Sequence, residues 1–330
     1  MQQNEYLTVG VIGMGKMGLL HASILNTLPG VRVSAVYEKN STMVKFARKA
    51  LTEICVTDNF ERFSELKLDA IYITTPIPTH YSIIKAIYST GMVRNLFVEK
   101  TLASSYEQAA QLSQEARTAG GVNMVGYMSR FAPTFRKAKA LLQEEEIGKP
   151  VSFRAYAYAS DFAGVKGKSS LVKGGATRDL GAHIIDISLW FFGYLEVESS
   201  QLGPSARDDN ESNAYFKVRG SDGLAGEFDI SWCKEGYRLP EFGLTITGSK
   251  GDLTVNTDLV KLEKDGTNLL TWYRQDLHAD VPFFLGAAEY FWEDEHFAKS
   301  ILKGGIADPD FKTASKVDLL IERAGCQTGM

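Results

Sequence analysis

Over the first 128 residues, short apolar runs alternate with stretches of helical spacing. Residues 6–13 (Tyr-Leu-Thr-Val-Gly-Val-Ile-Gly) form an apolar run closed by glycine, as expected of a strand buried on both faces. Residues 16–28 follow with a helical period and stop at Pro29-Gly30. The alternation repeats, with strands predicted at 31–37, 54–57, 68–75, 95–100 and 122–128 and helices at 41–51, 60–66, 81–90 and 104–119. Ser41 is placed to cap the second helix. This alternation predicts a parallel sheet with helices on both faces, and six strands suit a dinucleotide-binding sheet.

After about residue 130 the pattern changes. A helix at 133–146 ends in Glu144-Glu145-Glu146, read as a solvated end, and residues 151–158 alternate with the period of a half-buried strand. A glycine- and lysine-rich loop at 164–175 leads to a helix at 177–192 that is apolar nearly all round. From 196 to about 274, strands follow one another with turns at 220–223 and 248–251, which predicts an antiparallel sheet. Two helices close the chain near 283–302 and 310–327, and the aromatic residues of the first read as core. The organisation expected is α/β: a doubly wound parallel Rossmann sheet over residues 1–126 for a nicotinamide dinucleotide, then an α+β domain over 127–330 for substrate and oligomer contacts.

Composition narrows the function classes. A length of 330 residues gives two domains as a prior, and 44% apolar with 23% charged residues is the mix of a globular chain. The net charge of −4 and a pI near 5.8, with no basic run, argue against nucleic acid or a polybasic membrane surface as partner. The longest apolar stretch, 184–195, is too short to span a bilayer and is broken by Asp186, Ser188 and Gly193. Cys55, Cys233 and Cys326 are odd in number and far apart, so neither a disulfide framework nor a thiolate zinc site is expected. They read as buried thiols of a reducing compartment. With no charged and apolar leader at the start of the chain, the expected location is cytoplasmic.

The clearest chemical signal is Gly13-Met14-Gly15-Lys16-Met17-Gly18, a G-x-G-x-x-G. With 30 glycines in the chain this spacing arises by chance in roughly a quarter of such sequences, so its context decides. A strand precedes it, a helix follows it, and Glu38 lies 20 positions after Gly18 at the end of the second strand. Gly13 would make the tight turn, Gly15 would admit the pyrophosphate to the backbone and Gly18 would let helix and sheet pack closely. The helix amino end supplies N–H groups and positive potential to the anion. Glu38 would bind the adenosine ribose hydroxyls and repel a 2′-phosphate, which favours NAD. The adjacent Lys39 blunts that repulsion and keeps NADP as an alternative.

Three further motifs follow in order: Thr75-Pro-Ile-Pro-Thr-His80, Val98-Glu-Lys100 and Asp179-Leu-Gly-Ala-His-Ile-Ile-Asp186. With the glycine turn they resemble the glucose–fructose oxidoreductase / inositol dehydrogenase / rhizopine-catabolism (Gfo/Idh/MocA) family, over nearly the whole chain. The resemblance implies a Rossmann domain, a second domain with an open-faced, mostly antiparallel sheet, and homodimers or homotetramers formed through that sheet. It implies an NAD(P)-dependent oxidoreductase that transfers a hydride to or from a hydroxyl or ketone of a sugar, sugar nucleotide or cyclitol.

The same resemblance makes Lys100 catalytic or substrate-binding, although Thr101 stands where the family has proline. An ammonium at the carboxyl end of the fifth strand stabilises alkoxide character at the reacting oxygen. It makes His183 the acid/base and Asp179 the group that binds a substrate hydroxyl or orients the histidine. On a helix, Asp179, His183 and Asp186 would share one face, with Asp186 structural, and Gly181 would keep the surface low where substrate approaches. Tyr127 and Arg130 are expected near the nicotinamide and substrate, with a domain-linking salt bridge as the alternative for Arg130. Thr75 and Pro76 would touch the cofactor through their backbone, His80 would organise their loop and Glu99 would line the cofactor pocket. His21, His278 and His296 lack ligand spacing and no H-E-x-x-H occurs, so no metal is expected.

The leading expectation is therefore a dehydrogenase of a small carbohydrate-like molecule. The other readings are a glycoside hydrolase that uses NAD transiently and a non-catalytic cofactor-binding regulator, whose signature would be loss of Lys100 or His183. Lys166, Lys168 and Lys173 are read with equal weight as a binder of an anionic substrate group or as a solvated loop.

Overall fold

The structure, a computed structural model, describes residues 6–50, 53–160, 174–204, 211–264, 266, 268–277, 280–282 and 285–326. The chain divides into two compact units, Met1–Tyr127 with Val281–Ser315, and Met128–Asp280 with Lys316–Met330. The first unit thus takes back a return segment that the sequence pattern assigned to the second.

The first unit holds a six-stranded parallel sheet of β1 (Leu7–Ile12), β2 (Val31–Tyr37), β3 (Cys55–Thr57), β4 (Ala70–Ile73), β5 (Asn95–Glu99) and β6 (Asn123–Gly126), in the order β3-β2-β1-β4-β5-β6. Its helices are α1 (Lys16–Leu25), α2 (Ser41–Ala50), α3 (Phe60–Ser64), α4 (His80–Thr90) and α5 (Tyr106–Ala119). This is the Rossmann order, which reverses between β1 and β4 and opens a ligand crevice at the carboxyl ends of those strands. β1 and β4 are apolar and buried on both faces, as the unbroken runs required. Local polar side chains set the helix ends. Asn40, not Ser41, caps α2: its Oδ1 accepts the Thr42 and Met43 N–H groups at 3.0 and 3.2 Å, and Ser41 is already the first helical residue. Asn59 caps α3, Ser105 caps α5, and Gly91 ends α4 at φ 66°. α1 stops at Leu25, short of Pro29, with Asn26 turning its Oδ1 to the Val33 N–H at 3.0 Å.

The second unit holds α6 (Pro133–Gln143), α7 (Ala182–Phe192) and strands β7 (Pro150–Tyr158), β8 (Leu195–Pro204), β9 (Glu211–Gly220), β10 (Ala225–Ser231), β11 (Glu241–Gly248), β12 (Gly251–Asn256), β13 (Leu259–Lys264) and β14 (Asn268–Tyr273). They form one sheet in the order β14-β13-β12-β11-β7-β10-β9-β8. Every pairing is antiparallel except β7 with β10, which are parallel because a helix intervenes between them in the chain. α7 packs on β7 and β11, and α6 on β12 and β13.

The return segment carries α8 (Ala288–Leu302), which packs on α1, and leads into α9 (Phe311–Cys326). Before α9, Pro309 O accepts the Val125 N–H at 3.0 Å and Asn123 Oδ1 accepts the Phe311 N–H at 2.7 Å, which covers the β6 edge. Phe291 and Phe297 of α8 are core, as its aromatic content predicted. The cysteines depart from expectation: Cys55 is half-buried, and Cys233 and Cys326 are exposed. Among the described residues no helix is long and apolar enough to cross a membrane.

Candidate active site

The three glycines of the turn after β1 are needed for three different steric reasons. Gly13 has φ +94°, and a Cβ there would lie 2.8 Å from Thr75 Cγ2 and 3.1 Å from the Thr75 nitrogen. A Cβ on Gly18 would lie 2.0 Å from the Gly13 carbonyl oxygen, so α1 can approach the turn only with glycine there. Gly15, the residue before α1, faces open space, and no side chain caps the helix at this end. Its uncapped N–H groups and the clear space beside them are what an anion needs.

Glu38 closes the other side of the turn. Its Oε2 accepts the Met14 N–H at 2.7 Å and its Oε1 the Asn40 N–H at 2.8 Å. The carboxylate is therefore fixed before any ligand arrives. A cavity of about 400 Å³ opens here, lined by Gly13, Tyr37, Glu38, Lys39, Thr75 and Pro76 among others. The residues present fit a dinucleotide: Gly13 to Gly18 and the start of α1 for the pyrophosphate, Glu38 for the ribose hydroxyls. Lys16 is exposed beside this turn, and Met14 and Met17 are buried and half-buried.

The loop after β4 is tied to the loop after β5. His80, fully buried at the start of α4, sets Nε2 2.8 Å from Thr75 O and Nδ1 2.9 Å from Thr101 O. Burial holds its pKa below the usual imidazole value, against the pull of these two carbonyls. Thr79 Oγ1 adds 2.7 Å bonds to Thr75 Oγ1 and Pro76 O. Lys100 follows β5 directly and is joined by a cis peptide to Thr101, which is fully buried.

Both carboxylate oxygens of Glu99 are engaged within the first unit. Its Oε2 accepts the Lys100 N–H at 3.1 Å, and its Oε1 lies 3.0 Å from Nε2 of His21 on α1. Nδ1 of His21 lies 2.8 Å from Asp294 Oδ1 on α8. Sequence reasoning passed over both His21 and Asp294. Neither has ligand spacing, and they meet only because α8 returns to α1.

In the second unit, Asp179 and His183 lie on one helical run that opens as a π-helical turn, Thr177–Gly181, before α7. Such turns recur at functional sites. Asp179 and His183 are half-buried, and the His183 ring stacks on Phe242, centroids 5.4 Å apart and 6° from parallel. Asp186 is completely buried and takes both Nε and Nη2 of Arg130, at 2.8 and 2.7 Å. Of Asp179, His183 and Asp186 it is the most buried, and its pair with Arg130 anchors α7. Arg130 is itself buried, and its guanidinium lies 5.8 Å from the Trp190 ring. Arg178 makes a second buried pair, with Asp318 of α9 at 2.5 Å. Gly181 has a reason other than substrate access: a Cβ there would lie 2.5 Å from Ile230 Cδ1, so glycine lets the helix lie on β10. Tyr127, at the end of the first unit, is fully buried. Lys166, Lys168 and Lys173 lie outside the described residues. Among the described residues no group of three or more His, Cys, Asp or Glu is placed to hold a metal ion.

Residues 7–127 match the profile described as the oxidoreductase family with an NAD-binding Rossmann fold, and residues 135–254 match the GFO/IDH/MocA C-terminal domain. The inositol 2-dehydrogenase of Acidiphilium cryptum is 30% identical over 244 residues, 71% of this chain and 70% of that one. The scyllo-inositol 2-dehydrogenase (NAD(+)) of Bacillus subtilis is 29% identical over 261 residues, 75% of this chain and 73% of that one. Among solved structures, levoglucosan dehydrogenase in complex with NADH superposes with a TM-score of 0.86 over 98% of both chains at 20% identity, a likeness of fold.

Proposed function

The chain belongs to the Gfo/Idh/MocA family of oxidoreductases, and from that premise we propose that it is an NAD-dependent dehydrogenase of a cyclitol or sugar, with a sugar nucleotide as the larger variant of the same substrate class. One observation carries this reading: His80 clamps Thr75, which lines the dinucleotide cavity, to Thr101, which follows Lys100. The ammonium thus sits on a loop fastened to the cofactor loop. The names of the inositol and levoglucosan dehydrogenases support the substrate class.

NAD, when bound, takes up or gives the hydride. The chain's own residues do the rest. Glu38, fixed by two backbone N–H groups, receives the adenosine ribose hydroxyls and disfavours a 2′-phosphate. Lys100 stabilises negative charge on the substrate oxygen. His183 takes the hydroxyl proton, with its ring held flat against Phe242, and Asp179 binds a neighbouring hydroxyl. Arg130 serves the site by fixing α7 through Asp186. The three thiols, none in a disulfide, suit a cytoplasmic setting.

The test is a panel of cyclitols, sugars and UDP-sugars followed by NADH absorbance, with NADP in parallel. Net NADH formation with a cyclitol or sugar, and a preference for NAD over NADP, is the expected result. Glycoside cleavage without net NADH would turn the reading to an NAD-using hydrolase. Tight NADH binding with no turnover would turn it to a regulator.

A further inference from the structure

Among the buried charges that the proposed chemistry does not use, one group adjoins Lys100. His21 is fully buried on α1, three residues after Gly18, and each ring nitrogen meets a carboxylate: Asp294 at 2.8 Å and Glu99 at 3.0 Å. Asp294 is likewise fully buried. Ionised carboxylates only accept, and a neutral imidazole donates from one nitrogen, so both bonds to ionised partners are satisfied by the imidazolium. Glu99 then spends its second oxygen on the Lys100 N–H at 3.1 Å, and one residue further on Thr101 O meets His80. The chain is held on both sides of Lys100.

We propose that Asp294 and His21 form a positioning relay that fixes the Glu99 carboxylate and, through it, the course of the chain at Lys100. The proposal rests on the reading of Lys100 as catalytic. A purely structural role does not call for charge at this place, because a buried ionic group can often be replaced by apolar side chains of similar volume at little loss. Here the charges run in a line from α8 through α1 to the residue before the active lysine. His21 faces Asp294 from α8 and Glu99 from β5, with the rings of Tyr72 from β4 and Tyr290 from α8 against it; Glu293 acts on both tyrosines, Glu289 on Tyr290 and Lys100 on Glu99.

The sign of the pH effect follows. Burial works against the imidazolium, but Asp294 and Glu99 outweigh it and hold His21 well above the usual imidazole value. Burial works against the Glu99 carboxylate, but His21 and Lys100 outweigh it and hold it below the usual range. With the imidazolium gone, burial acts on Glu99 with less opposition, and its carboxyl takes up a proton at higher pH.

The experiment uses the full chain with 15N-labelled histidine. At about pH 8, where an ordinary imidazole is neutral, NMR of the wild type is expected to show the His21 ring protonated on both nitrogens. Asp294→Asn is expected to lose that signature. Its kcat should fall about tenfold to a hundredfold, with KM and NADH affinity within about twofold. The acid limb of its rate profile should move up by about one pH unit. A neutral His21 ring in the wild type overturns the relay without any variant and leaves the role of Lys100 standing. So does a folded Asp294→Asn enzyme whose profile superposes on the wild type. Full turnover by Lys100→Met overturns the role of Lys100 and with it the catalytic consequence of the relay, whereas the ring signature is read independently of turnover.

Discussion

The two sheets are finished in opposite ways. In the first unit, β1, β4 and β5 are buried along nearly their whole length, so only the loops at the strand ends remain for chemistry. The glycine turn, the Thr75 loop and Lys100 all lie there, at the carboxyl ends of β1, β4 and β5. In the second unit β7 alternates from residue 153 on, with Phe153, Ala155 and Ala157 buried and Arg154, Tyr156 and Tyr158 on the other face. One face carries α6 and α7, and the candidate base sits on the helical run rather than at a strand end. An enclosed sheet positions its groups by pinning loops, as His80 does. A one-sided sheet positions them by anchoring a helix, as Asp186 and Arg130 do.

That contrast predicts separable effects. The largest belongs to His183→Ala: kcat/KM falls by about two to four orders of magnitude, because general-base catalysis is worth that much. NADH affinity, measured by fluorescence titration, stays within about twofold, since the cofactor residues are in the other unit. A parallel loss of NADH affinity would break the comparison, and full activity would remove His183 as the base. Next comes the anchor. Asp186→Ala leaves the Arg130 guanidinium buried without its carboxylate and should lower stability by about 3–5 kcal/mol in urea unfolding. The double variant Arg130→Met/Asp186→Leu should recover most of that loss, because no uncompensated charge is left behind. If the double variant is as unstable as the single one, the pair is more than an anchor.

The same contrast explains what could be read from the chain. The parallel sheet was legible because its strands are apolar on both faces and its helices are bounded by local signals: residues 31–37 were placed to the residue. The glycine turn and the place of Glu38 beside it were legible because both lie within 26 positions. His21 with Asp294 was not, since the partners are 273 residues apart and no local pattern joins them. α8 also buries Glu289, Glu293 and Asp294, which a hydrophobic period counts as surface. The packing of Ile230 against Gly181 has no local signature, because it is a long-range fact. The Arg130–Asp186 pair joins residues 56 apart for the same reason: charges satisfied in the core look, in sequence, like charges available to a ligand.

The smallest expected effect concerns the face of the second sheet away from α6 and α7. Among the described residues it carries tyrosines bonded to acids: Tyr156 to Glu241, Tyr158 to Asp229 and Tyr215 to Glu227, each at 2.6 Å, with Arg154 paired to Glu227. A shallow cavity of about 230 Å³ lies among Arg154, Tyr156, Tyr158, Tyr215 and Asp229. We propose that a second copy of the chain covers this face as a homodimer or homotetramer. Broad tyrosine surface with its hydroxyls already satisfied suits a self-complementary contact, in which each change is felt twice. Thr245 is exposed on this face and pairs across the ladder with Arg154, so Thr245→Lys places two like charges side by side in each copy. Within one sheet that costs about 0.2–1 kcal/mol, too little to unfold it. Across a two-fold contact it confines four cations, and sedimentation velocity should show the assembly shifting to monomer. Turnover per chain should stay within about twofold, because α7 lies on the opposite face. An unchanged sedimentation profile would mean that the open face is not where copies meet, and the contrast between the two sheets would then have to be explained by the helices alone.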